Sequence, residues 1–159
     1  MSQGSANNAA LDDLAARAKA LAAEYYALTG KPLGITGEIA ELEAANKLGL
    51  ELATARTPYF DATGFENDLH VRYQIKGRAV DPRRRYVGRV PSVKCDGDFE
   101  VVLLVLLDRL TYDAIEIWRA GREEVAQRLA APGSRARNER SALGISQFKS
   151  ISQRVWPTQ

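Results

Sequence analysis

Four side chains carry the chemistry that this sequence offers: Glu38, Asp61, Gln74 and Lys76. Gln74 and Lys76 lie in the run 69–76, where apolar and polar residues alternate. On an extended strand, residues two apart project from one face. Residues 66–68, Glu-Asn-Asp, supply a hairpin turn before that strand, which sets Asp61 on the neighbouring strand beside the same face. Glu38 falls on the first turn of a helical segment that opens near Thr36, and a helix packed there directs it at the same point. Two carboxylates and an amide oxygen, with an ammonium at the edge, suit a hard divalent cation. Mg²⁺ or Mn²⁺ takes oxygen ligands and keeps several waters, so two or three protein oxygens suffice. Such an ion stabilises charge on a phosphate and acidifies a bound water. Lys76 would orient or activate that water, or pair with the phosphate.

The elements that must position these groups follow from the pattern. Residues 1–8 read as a disordered polar tail, and 9–159 as one domain with its core at about 34–131. From Ala9, apolar residues recur every three or four positions in an alanine-rich helix that Gly30 and Pro32 end. A second helix runs from Thr36, its expected N-cap, to Gly49. Short strands are expected at 50–53, 60–63 and 69–76, with the odd residues of the last facing the core. Residues 77–98 read as an irregular basic loop, and 99–107 as a strand buried on both faces. Residues 112–118 form a partner strand, and 122–131 a helix stopped by Pro132-Gly133. Residues 138–156 mix helix with loop or strand. The expected class is α/β, a mixed central sheet flanked by helices.

The net charge of +2 hides two basic segments. One holds Arg78, Arg83, Arg84, Arg85, Arg89 and Lys94, the other Arg135, Arg137 and Arg140. Both are candidate phosphate-contacting surfaces for a nucleic acid, with Lys149 beside the second and Tyr86 placed to stack on a base. A single cysteine, Cys95, and a single histidine, His70, exclude a disulfide framework and a Cys/His zinc cluster. The apolar run 101–107 is too short to cross a bilayer. The opening MSQGSANNAA lacks a charged region followed by an apolar run, so a cytoplasmic protein without membrane contact is expected.

The order helical Glu38, strand Asp61, then Gln74-x-Lys76 resembles the PD-(D/E)xK nuclease superfamily, the restriction-endonuclease-like fold, over about residues 34–118. The resemblance implies an αβββαβ core, here with an extra N-terminal helix, and a metal-dependent nuclease acting on DNA. It makes Glu38, Asp61 and Gln74 the ligands of Mg²⁺ or Mn²⁺ and sets Lys76 at the attacking water. Gln74 departs from the usual Asp or Glu. Mrr-type endonucleases look similar in carrying Gln there, with Gly-x-x-x-Glu in the helix. The swap keeps an oxygen ligand and removes a charge, which either weakens metal binding or marks a retired active site.

Each residue also has a plainer reading. Glu38 and Glu41, the latter a reserve ligand, suit a helix N-terminal turn. Asp61 suits a strand-end turn, and Gln74 and Lys76 a solvated edge. His70 shares their strand face. Three functions therefore compete: a nuclease on duplex DNA, a catalytically degenerate DNA-binding module of the same fold, and a protein-interaction domain that dimerises through its long helix. A homodimer fits the first as well, since one site cuts one strand, and so does a separate specificity partner.

Overall fold

The computed structural model describes residues 2–158, with side chains from residue 6 onward. Its elements are α1 (Ser2–Thr29), α2 (Thr36–Leu48), β1 (Glu51–Leu52), β2 (Ala62–Glu66), β3 (Leu69–Val80), β4 (Val101–Asp108), β5 (Ala114–Gly121), α3 (Arg122–Ala130), α4 (Arg135–Asn138), α5 (Ile145–Ser150) and β6 (Gln153–Trp156). One six-stranded mixed sheet holds the strands in chain order. β3 and β4 pair in parallel; every other neighbouring pair is antiparallel. The chain is thus α/β, a mixed sheet flanked by helices.

The sheet separates two apolar layers. On one face Val71, Tyr73, Ile75, Leu103 and Val105 pack against Ile39, Ala40 and Ala44 of α2 and Ala22 of α1. On the other, Val102, Leu104 and Leu106 meet Val125, Leu143, Ile145 and Phe148. β4 supplies both layers, which is why its seven residues Val101–Leu107 are all apolar and all buried. Among the described residues, no helix is long and apolar enough to cross a membrane.

Several local expectations are revised. The polar residues 2–8 are not a tail: α1 begins at Ser2, and alanine-rich composition sustains it to Thr29. Met1 lies outside the described residues. Thr36 is the first residue of α2, and Ile35 holds the N-cap without a side-chain bond. The hairpin turn tightens to Asn67 and Asp68, both at positive φ, as a two-residue turn of matching twist requires. β3 continues past Lys76 to Val80, because Gly77–Val80 pair with Val105–Asp108.

The crossover between β3 and β4 carries no helix, unlike the αβββαβ order that the resemblance implies. Pro82 and Pro91 interrupt it, and its apolar residues lack helical spacing. Val90, Val93 and Phe99 are instead buried one by one. The Val90 N–H donates to Leu143 O at 2.8 Å and the Val93 N–H to Ser141 O at 3.0 Å, stitching the crossover to the segment before α5.

Candidate metal centre

β2 runs beside β3 only as far as Ala62, opposite Tyr73. Asp61 makes the last backbone contact, its N–H donating to Tyr73 O at 2.8 Å. Beyond it the side chain replaces the ladder: the Asp61 carboxylate accepts the Ile75 N–H at 2.7 Å. Ala53 N–H also donates to Asp61 O at 2.9 Å. The carboxylate is thereby pinned to the β3 edge at the residue between Gln74 and Lys76.

Gln74 is oriented by one bond. Its Nε2 donates to Tyr59 O at 3.1 Å, which leaves Oε1 buried without a hydrogen-bond partner. Tyr59 takes a positive φ of 74°, and its ring lies so close to Gly97 that a Cβ there would approach it to 2.8 Å. An orphaned buried acceptor is costly. A divalent cation would satisfy it, so the donor set fits one here.

α2 is set against β3 through Gly77. A Cβ on Gly77 would sit 2.5 Å from Ala40 Cβ and 2.9 Å from Thr36 O, so the helix approaches only because that side chain is missing. This docking brings Glu41, the neighbour of Ala40, into the field of Asp61 and Lys76. Burial first, then Asp61, then Glu38 push the Glu41 carboxyl up to about 7, with Lys76 acting the other way. Burial lowers the Lys76 ammonium below the usual lysine range, and Asp61 and Glu41 hold part of it back. Lys76 forms no ion pair among the described residues, so its ammonium is not sealed to a carboxylate.

Asp61 thus binds the β3 backbone between Gln74 and Lys76 and lies in the field of the Lys76 ammonium. The helical acid nearest them is Glu41; Glu38 lies one turn earlier and is exposed. No group of three or more His, Cys, Asp or Glu is close enough to hold a metal by itself among the described residues. A cation here would therefore rest on Asp61, the Gln74 amide, one helical glutamate and water. His70 is elsewhere: exposed near the hairpin tip, it packs edge-on against Phe65 with ring centroids 5.5 Å apart.

A cleft of about 560 Å³ adjoins Lys76, walled by Tyr26, Thr36, Arg78, Arg109 and Tyr112. Sequence spacing offered no signal for Arg109, which reaches the cleft only because β4 lies beside β3. Its Nη2 pairs with Asp81 at 3.0 Å, and its buried Nε has no partner.

The basic residues divide. Arg83 and Arg84 share Asp81 with Arg109, at 3.1 and 3.7 Å. Arg78 donates to Arg89 O, and Arg89 to Ala142 O at 3.1 Å. Arg135 pairs with Glu139 at 3.2 Å. Arg85, Lys94 and Arg140 are exposed and form no ion pair among the described residues. Arg137 is a correction: it is buried, and its guanidinium donates to Ala131 O at 3.1 Å and to Pro132 O, so it braces a turn. Lys149 is likewise engaged, at 2.7 Å from Glu116 and over the rings of Tyr86 and Trp118.

No protein-family model matches the chain, and no curated protein matches it.

Proposed function

We propose that this chain is a metal-dependent nuclease of the restriction-endonuclease-like fold that hydrolyses phosphodiester bonds in DNA. Asp61, the Gln74 amide oxygen and a glutamate of α2, Glu41 or Glu38, would hold Mg²⁺ or Mn²⁺. The cation, when bound, supplies Lewis-acid stabilisation of phosphate charge and acidifies a bound water. The observation that carries the reading is the buried, partnerless Gln74 Oε1, oriented by the bond to Tyr59 on the strand whose next backbone N–H binds the Asp61 carboxylate. An amide kept there without a ligand is a net cost to the fold.

The protein's own groups do the rest. Lys76, partly desolvated and unpaired, can position a water or exchange a proton with it more readily than an ordinary lysine. The cleft beyond it offers Arg78 and Arg109 to phosphates and Tyr26 to a base. Arg83, Arg84, Arg85, Arg89 and Lys94 extend that positive surface along the crossover, with Arg135 and Arg140 beyond, so binding should fall steeply with salt.

Incubation of supercoiled plasmid with Mg²⁺ or Mn²⁺ tests the reading. Cleavage by the wild type, lost in Asp61→Asn and Lys76→Met and abolished by chelation, is the expected result. Cleavage that survives both substitutions overturns it.

A second reading, a degenerate DNA-binding module, is favoured by the neutral Gln74 where the family carries an acid. Salt-sensitive DNA binding with no cleavage in either metal would select it.

A further inference from the structure

The cleft beside Lys76, at about 560 Å³, has the size of a small-molecule site, about 300–1,000 Å³. β2 ends opposite Tyr73, so residues 75–79 of β3 border the cleft in succession. Three cations line it, Lys76, Arg78 and Arg109, and no acid does. Little within the chain answers them. Arg78 donates from Nε to Arg89 O, which fixes the side chain, and its guanidinium forms no ion pair among the described residues. Arg109 pairs with Asp81 at 3.0 Å, and its buried Nε has no partner. Asp81 also serves Arg83 at 3.1 Å and Arg84 at 3.7 Å, so one carboxylate stands against three guanidiniums. Lys76 feels Asp61 and Glu41, which lie outside the lining. The first turn of α2 adds to the positive field: Thr36 and Gly37 stand in the wall, and no side chain caps that helix.

A group with several anionic oxygens answers these donors. A phosphodiester inside a strand offers one charge and two free oxygens. A phosphate monoester offers three oxygens and a charge of about −1.5 to −2 near neutral pH. Three cations and an uncapped helix start suit the monoester. The opposite side of the cleft is less polar, with Pro32, Pro91 and the half-buried Tyr26 ring, on which a base can stack. Phosphate and base together describe a nucleotide.

We propose that this cleft binds the phosphate monoester of a nucleotide, free or at the end of a strand. The proposal shares its cleft with the nuclease reading but needs neither the cation nor cleavage. Two titrations of the full chain in EDTA test it. Fluorescence anisotropy compares an internally labelled single-stranded oligonucleotide with a 5′-phosphate, with a 3′-phosphate and with hydroxyls at both ends. Calorimetry compares adenosine 5′-monophosphate with adenosine. A phosphate is expected to raise affinity at least about tenfold in one titration or both. A gain at an oligonucleotide end assigns the strand terminus; a gain confined to the mononucleotide assigns the free nucleotide. Arg78→Gln, at an exposed position, and Arg109→Gln should each remove most of the gain. No gain in either titration overturns the proposal and leaves an interior phosphodiester as the occupant. A gain that neither substitution reduces overturns it as well. Plasmid cleavage is a separate readout: its absence leaves this binding standing, and loss of this binding leaves the cleavage test intact.

Discussion

The carboxylate of Asp61 accepts the backbone N–H of Ile75 at 2.7 Å, so a side chain completes the sheet edge where β2 turns away. This bond makes Asp61 structural as well as chemical, and two substitutions separate the roles. Asp61→Ala unpairs the Ile75 N–H and is expected to cost about 1–2 kcal/mol in denaturant unfolding. Asp61→Asn keeps an acceptor and should leave the unfolding midpoint nearly unchanged. Cleavage of plasmid in Mn²⁺ is expected to fall at least about a hundredfold in both.

Gln74 donates to Tyr59 O while its own oxygen has no partner. Gln74→Glu removes that donor and adds a charge in a buried position. Without metal, the variant is expected to melt below the wild type, by about 1–2 kcal/mol. With Mn²⁺ the order reverses, because an added carboxylate strengthens a hard-cation site. Thermal melts with and without Mn²⁺ check both halves. A variant that Mn²⁺ does not stabilise more than the wild type would count against oxygen ligation at this position.

Glu41 links pH to stability. Its folded carboxyl is raised to about 7, above its ordinary 4.5, by burial, Asp61 and Glu38. The native state therefore holds a proton that the unfolded chain releases, and stability drops as pH rises from about 4.5 through 7. Glu41→Gln removes that loss. In metal-free protein the variant should match the wild type near pH 4 and exceed it by about 1–2 kcal/mol at pH 8, allowing for solvent screening. Urea unfolding at the two pH values measures the gap.

Gly77 sits where α2 touches β3. Gly77→Ala should force Ala40 and the Thr36 carbonyl away and cost about 2–3 kcal/mol. Because the same displacement carries Glu41 from the site, the melting curve should lose its response to Mn²⁺ along with its midpoint.

Arg137 and Arg85 should behave oppositely. Arg137→Ala is expected to lower the unfolding midpoint, by about 1–3 kcal/mol, since it removes a buried side chain and its two bonds to the turn carbonyls. Arg85→Ala should leave stability alone and weaken binding to a labelled duplex, with a shallower salt dependence. Fluorescence anisotropy at several salt concentrations distinguishes them.

Much of this arrangement is written locally. Alternation over 69–76 marks a strand with Gln74 and Lys76 on one face, and the all-apolar run of β4 marks a strand covered twice. Such features depend on backbone periodicity and on how many faces are buried, which neighbours in sequence express directly. The helical acid is different. The spacing Gly-x-x-x-Glu occurs twice, at Gly34 with Glu38 and at Gly37 with Glu41, and cannot choose between them. The seating of Ala40 on Gly77 chooses, because it fixes how far α2 slides along β3. Arg137 shows the same limit: among basic neighbours, charge says nothing of which guanidinium folds inward to meet open carbonyls. Composition and periodicity set the elements and their faces; tertiary contact alone decided that Glu41 is half-buried in the field of Asp61 while Glu38 stays exposed, that Gln74 keeps an unanswered oxygen, and that β4 brings Arg109 to the cleft, since each depends on the approach of segments far apart along the chain.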